Sequence, residues 1–287
     1  MITIELLGRT TVSGEAGRLT GKGLGGVKPR QLLEMLALRP GVSVSKELLA
    51  DRLWDGRPPA CYVGTVESYV CVLRRTLRLV AAGPAPVATV HGGYLLDADR
   101  VQVDVSEVGR LLAGDEEAVG RALDLATGDL LADEPYASWA TEAREAFTQR
   151  LGQACTRAAG QANRAGRHTQ ATRLAREALA RSPYSEEALR ALMFALARTG
   201  ARAEAVRAYE QMRSLLATDL ALGVSTETRY AFLAVLESDG TTSDRADRDE
   251  LETMLALIHK TLTIDPTALR GIPGSRELGT MLQTLSA

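Results

Sequence analysis

Apolar and polar positions alternate from Met1 to Val12, with Ile2, Ile4 and Leu6 on one side, the period-two pattern of a half-buried strand. Arg18-Leu19-Thr20 is the expected partner strand. The period then lengthens to that of a helix. Lys28-Pro29-Arg30 opens a segment with Leu32, Leu33, Leu36 and Ala37 on one face, and Arg39-Pro40-Gly41 closes it, since proline suits a first helical turn and stops a helix at its far end. Ser45 is placed to cap a second helix from Lys46 to Trp54, with Leu48, Leu49, Leu53 and Trp54 turned inward. In a third helix Val66, Val70, Leu73 and Leu77 fall on one stripe. A Gly-Pro-Ala-Pro turn over 83–86 follows it. Next come Val87-Ala88-Thr89-Val90 and Tyr94-Leu95-Leu96, joined by His91-Gly92-Gly93, which predicts a hairpin of two short strands around a glycine turn. Three helices and a hairpin behind a small sheet make an α+β winged helix-turn-helix over residues 1–97.

Beyond residue 104 the pattern is helical almost throughout, with segments expected at 138–164, 168–180, 185–198, 203–216 and 226–236. A repeat lies within them. Gly166 and Gly200 are 34 residues apart, and at that offset Ala171 matches Ala205, Ala175 matches Tyr209 and Ala178 matches Met212, while Ala217 stands where Pro183 does. Glycine turns and small residues at this period resemble the tetratricopeptide pattern, in which helix pairs stack closely into a solenoid. The expected organisation is therefore multidomain: the winged helix, an all-α tetratricopeptide-like repeat domain over 104–238, a polar linker over 239–248 and a helical extension over 249–287. That extension carries apolar stripes at Leu251, Met254, Leu255, Ile258 and Leu262 and at Leu278, Met281, Leu282 and Leu285. They fit packing on the repeat domain, a dimer contact or a ligand-responsive latch.

The face of the third helix opposite its apolar stripe holds Gly64, Ser68, Cys71 and Arg75, flanked by Val72 and Arg78. Small, polar and basic groups in that arrangement suit the floor and phosphate walls of a DNA major groove, which is wide enough to admit a helix. Charge points the same way. The whole chain carries a net charge of −2, but residues 1–97 hold 12 basic against 8 acidic side chains, leaving 22 against 28 in the rest. The first part attracts phosphates and the second does not.

Lys28-Pro29-Arg30-Gln31, Leu53-Trp54, Thr65-Val66-Glu67-Ser68-Tyr69-Val70, Leu73-Arg74-Arg75 and Gly92-Gly93-Tyr94-Leu95 occur in an order that resembles the Streptomyces antibiotic regulatory protein family, as do Ala132-Asp133-Glu134-Pro135-Tyr136 and Trp139. The resemblance covers roughly residues 1–238. It implies an OmpR-type winged helix joined to a bacterial transcriptional activation domain. It also implies Thr65, Ser68 and Arg75 toward the major groove, Lys28, Arg30, Arg74 and Arg78 on phosphates, and His91, Gly92 and Gly93 as a wing near the minor groove or backbone. Tyr69 and Tyr94 are expected to pack, and Trp54 to lie in the core. Many members carry Ser-Arg where this chain has Cys71-Val72. The implied partners are double-stranded promoter DNA, bound as a homodimer on direct repeats near the −35 element, and RNA polymerase, contacted through the sigma factor and other subunits. The implied targets are secondary-metabolite genes, those of an antibiotic.

Other chemistries find little support. Gly21-Lys22-Gly23-Leu24-Gly25-Gly26 matches a dinucleotide fingerprint, but the next element is a helix opened by Lys28-Pro29 rather than part of a parallel βαβ unit, so a connection between strand and helix is expected. No Gly-x-x-x-x-Gly-Lys-Ser/Thr run occurs. His91, His168 and His259 stand in no metal or nucleophile spacing, so neither catalysis, metal nor cofactor is expected. Glu116-Glu117, Asp133-Glu134 and Glu186-Glu187 read as helix-start carboxylates that favour the macrodipole. Cys61, Cys71 and Cys155 read as reduced thiols, and the lack of a signal sequence or of an apolar run approaching ~18 to 20 residues predicts a cytoplasmic protein without membrane contact. Two functions follow: a sequence-specific transcriptional activator, or a tetratricopeptide-like adaptor for a peptide or small ligand whose winged helix is not a specific DNA reader. An effector that tunes activation would reconcile them.

Overall fold

The computed structural model describes residues 1–237, and the linker and extension expected beyond them lie outside the described residues. The chain forms two compact units that divide between Cys155 and Thr156. In the first, Ile2–Glu5 (β1), Thr11–Gly14 (β2), Gly17–Thr20 (β3) and Val101–Val103 (β7) form a sheet of order β3-β2-β1-β7. β1 pairs antiparallel with β2, Ile4 opposite Val12, and parallel with β7, Ile4 opposite Val103. The strand expected over 1–12 is thus two, broken at Gly8, whose φ of 94° turns the chain. Arg18, Leu19 and Thr20 pair with β2 rather than β1.

The glycine-rich run after β3 is a 3-10 turn, Gly21–Leu24, leading straight into α1, Val27–Ala37. Helix α2, Lys46–Leu53, starts at Ser45, whose Oγ accepts from the Leu48 amide at 3.1 Å. Leu49, Ala50 and Leu53 of α2 are buried, but Leu48 faces solvent: at 100° per residue it falls off the stripe that Leu49 and Leu53 share. Helix α3, Tyr62–Leu77, buries Val66, Val70, Leu73 and Leu77 against the same core. A second sheet of order β4-β6-β5 joins Val44–Ser45 (β4), Gly93–Leu96 (β6) and Val87–Val90 (β5).

The core does not stop at residue 97. Asp104 opens α4, Asp104–Leu111, and its carboxylate accepts from the amides of Leu6, Leu7 and Val105 at 2.7–3.0 Å. After α5, Glu116–Leu125, the chain returns beside residues 6–8: the Leu131 amide donates to the Leu6 carbonyl and the Gly8 amide to that of Asp129, both at 2.8 Å. Arg144 of α6, Ser138–Arg164, pins this return by donating to the carbonyls of Leu130, Leu131 and Glu134. Leu130, Leu131 and Ala140 belong to the winged-helix core as a result.

In the second unit, α7 (His168–Arg181), α8 (Glu186–Arg198), α9 (Arg202–Leu220) and α10 (Thr226–Glu237) pack in succession. The three matched pairs within the helices are buried, Ala171, Ala175 and Ala178 in α7 and Ala205, Tyr209 and Met212 in α9, while the turn glycines Gly166 and Gly200 are exposed. Tyr209 stacks on Phe232 of α10 with ring centroids 4.0 Å apart. Helix α7 ends two residues before Pro183, whereas α9 runs past Ala217 to Leu220, because nothing there removes an amide donor. The fold is an OmpR-like α+β winged helix followed by a tetratricopeptide-like helical repeat.

Candidate nucleic-acid interface

Helix α3 turns its polar side outward: Gly64, Glu67, Ser68, Cys71, Arg75 and Arg78 are all exposed. Its hydroxyls bond back to the helix, Ser68 Oγ to the Gly64 carbonyl at 2.9 Å and Thr65 Oγ1 to that of Cys61 at 3.2 Å, which fixes their rotamers and leaves oxygen lone pairs to accept. Thr65 lies at the flank of that face, half-buried. Among the described residues Arg75 and Arg78 have no hydrogen bond or ion pair from their guanidinium groups. Free forks on a helix of this shape can reach base edges and phosphates. Cys71, one turn before Arg75 on the same face, is a free, exposed thiol, as is Cys61 just before the helix start, whereas Cys155 is buried.

The hairpin beside α3 is tight. Val90 pairs with Gly93, so only His91 and Gly92 form the turn, with Gly92 at φ 76° and both exposed. Gly93 instead belongs to β6 and is buried. A Cβ there would lie 2.2 Å from the Val44 carbonyl oxygen, so glycine is required by the approach of β4, and this position does not present itself to a ligand. The Lys46 amide donates to the Gly92 carbonyl at 3.1 Å and holds the turn to the start of α2.

Three of the cations expected on phosphates are engaged within the fold. Lys28 Nζ donates to the Leu53 carbonyl, the last of α2, and lies 6.0 Å from the Trp54 ring centroid. Arg74 Nε donates to the Val87 carbonyl at 3.1 Å and its Nη2 to Thr89 Oγ1 at 2.7 Å. Arg30 lies farthest from the expectation. Its Nη2 donates to Glu134 Oε1 at 2.5 Å, its Nε is 3.4 Å from Glu34, and its side chain is 13% exposed. Asp133 and Glu134 accordingly do not start a helix. Asp133 accepts from the Thr10 amide at 2.9 Å, and Glu134 takes Arg30 and, at 2.6 Å, Gln31 Nε2.

Glu34, fully buried in this cluster, accepts from Thr10 Oγ1 at 2.5 Å. Burial pushes its carboxyl up to about 7, against the pull of the Thr10 hydroxyl and with the help of nearby Glu134. Two side chains beside the interface carried no expectation: Lys46 and Glu67 pair at 2.6 Å across α2 and α3, and the Glu67 carboxylate holds the Lys46 ammonium above its usual range. Glu67 stands in the quoted motif and on the outward side of the helical period. Its partner was not readable, because the two are 21 residues apart.

A recognition-type helix with an open polar face, packed next to a two-residue wing, defines a winged-helix DNA-binding protein. Comparison with known proteins agrees. The C-terminal transcriptional regulatory protein family matches residues 25–96, and the bacterial transcriptional activator domain family matches 96–236. The chain is 32% identical over 231 residues to regulatory protein DnrI of Streptomyces peucetius, covering 74% of this chain and 85% of that protein. Identity to regulatory protein AfsR of Streptomyces coelicolor is also 32%, over 229 residues, but the match spans only 22% of AfsR. The structure of Mycobacterium tuberculosis EmbR in complex with a low affinity phosphopeptide superposes with a TM-score of 0.68 at 20% identity, over 92% of this chain and 71% of that one, a likeness of fold. The chain belongs to the Streptomyces antibiotic regulatory protein family of DNA-binding transcriptional activators. No helix among the described residues is long and apolar enough to cross a membrane.

Proposed function

We propose that this protein reads promoter DNA with the outward face of α3 and activates transcription by recruitment rather than by chemistry. Ser68 and Arg75, with Thr65 at the flank, meet base edges in the major groove. Arg78 meets a phosphate, and His91 and Gly92 bring the wing to the backbone or minor groove. Lys28, Arg30, Arg74 and Gly93 act from inside the fold. Residues 1–97 serve as the reader and 104–238 as the activating part, which meets RNA polymerase through the sigma factor and other subunits. Two protomers occupy direct repeats near the −35 element of secondary-metabolite genes.

The observation that carries this reading is the pair of free guanidiniums, Arg75 and Arg78, on the exposed side of a helix whose other side is locked into the core. Selection of random-sequence DNA by the purified protein at physiological salt tests it, since phosphate contacts weaken steeply as salt rises. The expected product is a direct repeat spaced near one helical turn, about 10 to 11 base pairs. Binding without sequence enrichment that vanishes with added salt would overturn it.

A further inference from the structure

Arg74 belongs to α3, yet among the described residues every partner of its side chain belongs to the hairpin. Nε donates to the Val87 carbonyl, Nη2 donates to Thr89 Oγ1, and Cζ lies 5.7 Å from the Tyr94 ring centroid. On the same ring, 5.8 Å away, sits Lys46 Nζ, itself paired with Glu67 of α3. Val87 and Thr89 lie on β5, which among the described residues is the outer strand of its sheet, bonded to β6. An outer strand of four residues has little to hold it, because a hairpin is marginal without further packing. The Arg74 fork fills the open side of that strand.

A guanidinium presents donors in fixed directions within one plane and can hold a carbonyl and a hydroxyl together while its face rests on an aromatic ring. A lysine ammonium keeps the charge but not the fork. Arg75, one residue on, points about 100° around the helix and makes no such bonds. Two adjacent arginines thus have separate work.

We propose that Arg74 is a positioning residue for DNA reading: it holds the hairpin at a fixed offset from the outward face of α3, so that the helix and the His91-Gly92 turn engage one duplex together, and it makes no phosphate contact of its own. This rests on the reading of α3 and the hairpin as the DNA interface.

The test uses the full chain with Arg74→Ala, Arg74→Lys and the milder Thr89→Val, which removes one of the two hydrogen bonds. Without DNA, hydrogen exchange is expected to speed up at residues 87–90 in both Arg74 variants and less in Thr89→Val, with the α3 amides unchanged. Unchanged exchange at 87–90 would overturn the inference whatever the DNA does. On the selected DNA, Arg74→Ala should lose the hydroxyl-radical protection that the hairpin confers and keep guanine protection in the major groove, with affinity down about tenfold, the ~1.4 kcal/mol of one lost charged hydrogen bond. Arg74→Lys should be as weak. Recovery of affinity by lysine, or an intact hairpin footprint in Arg74→Ala, would identify a direct phosphate contact instead and overturn the positioning role. A wild-type protein that protects no sequence would overturn the DNA reading itself, an outcome separate from the exchange result.

Discussion

Arg75 and Arg78 are three residues apart on one exposed face and carry different expectations. If Arg75 forks onto a base edge, Arg75→Ala should cost about 1–3 kcal/mol of discrimination between the selected and a scrambled site. Equal losses on both in a competition titration would refute that contact. Arg78→Ala should weaken both sites alike and lower the slope of log affinity against log salt by about 1, which a titration at several salt concentrations measures. Glu34 supports a prediction of another kind. Its carboxyl keeps its proton up to about pH 7 when folded and releases it near 4.5 when unfolded, so the folded state holds the extra proton between those values. The stability it contributes is complete below pH 4.5, falls as pH rises toward 7 and is flat above. At ~1.4 kcal/mol per pH unit over those roughly 2.5 units that is at most about 3.5 kcal/mol. Urea unfolding at pH 5, 6, 7 and 8 should show this decline in the wild type and a flatter profile for Glu34→Gln. Parallel profiles would refute the assignment. At this scale the exposed face of α3 was legible, because periodicity separates inside from outside. The engagement of Lys28, Arg30 and Arg74 was not, since their partners lie 25, 104 and 13 to 15 residues away.

Among the elements, boundaries followed local chemistry wherever a cap or a proline sets them. Ser45 caps α2, Pro183 lies just past the end of α7, and Gly166 and Gly200 close α6 and α8 with φ of 75° and 83°. Pairing partners were less accessible. β4 is only two residues long, too short for a period to register, yet it completes the wing by setting Val44 opposite Tyr94 and Ser45 opposite Gly93. That contact, rather than the turn, explains Gly93. Gly93→Ala drives a methyl into the backbone of Val44 and should destabilise the protein by about 1–3 kcal/mol, with the hairpin pushed off β4. Gly92→Ala meets no atom within 4 Å and carries only the strain of its positive φ, so its cost should be smaller. Thermal melts of the two variants rank them, and the reverse order would contradict this account of the turn.

For the whole molecule, the family boundary near residue 96 and the compact unit ending at Cys155 describe different things. A fragment of residues 1–97 lacks β7, the parallel partner of β1, and removes the Asp104 and Asp129 acceptors from the amides of Leu6, Leu7 and Gly8. At roughly 0.5–1.5 kcal/mol for each hydrogen bond lost, and with the β1–β7 ladder gone, the loss is a large share of the ~5–15 kcal/mol that holds a domain together. A fragment of residues 1–164, ending with α6, should therefore melt cooperatively by circular dichroism, and 1–97 should melt at a markedly lower temperature. Equal melting temperatures would show that the winged helix is self-sufficient.

The chain by itself determined what repeats along it: three helices and a hairpin in order, an outward polar face on the third helix, and a 34-residue period of glycine turns and apolar positions within helices. Local periodicity and capping act over a few residues, so they can be read one residue at a time. Only the tertiary structure decided which cations are engaged within the fold, why Gly93 must be glycine, and that residues 129–144 complete the core of the winged helix. Each depends on groups that the fold brings together from distant positions, and burial, charge pairing and close backbone approach are properties of the assembled neighbourhood rather than of the residue that carries them.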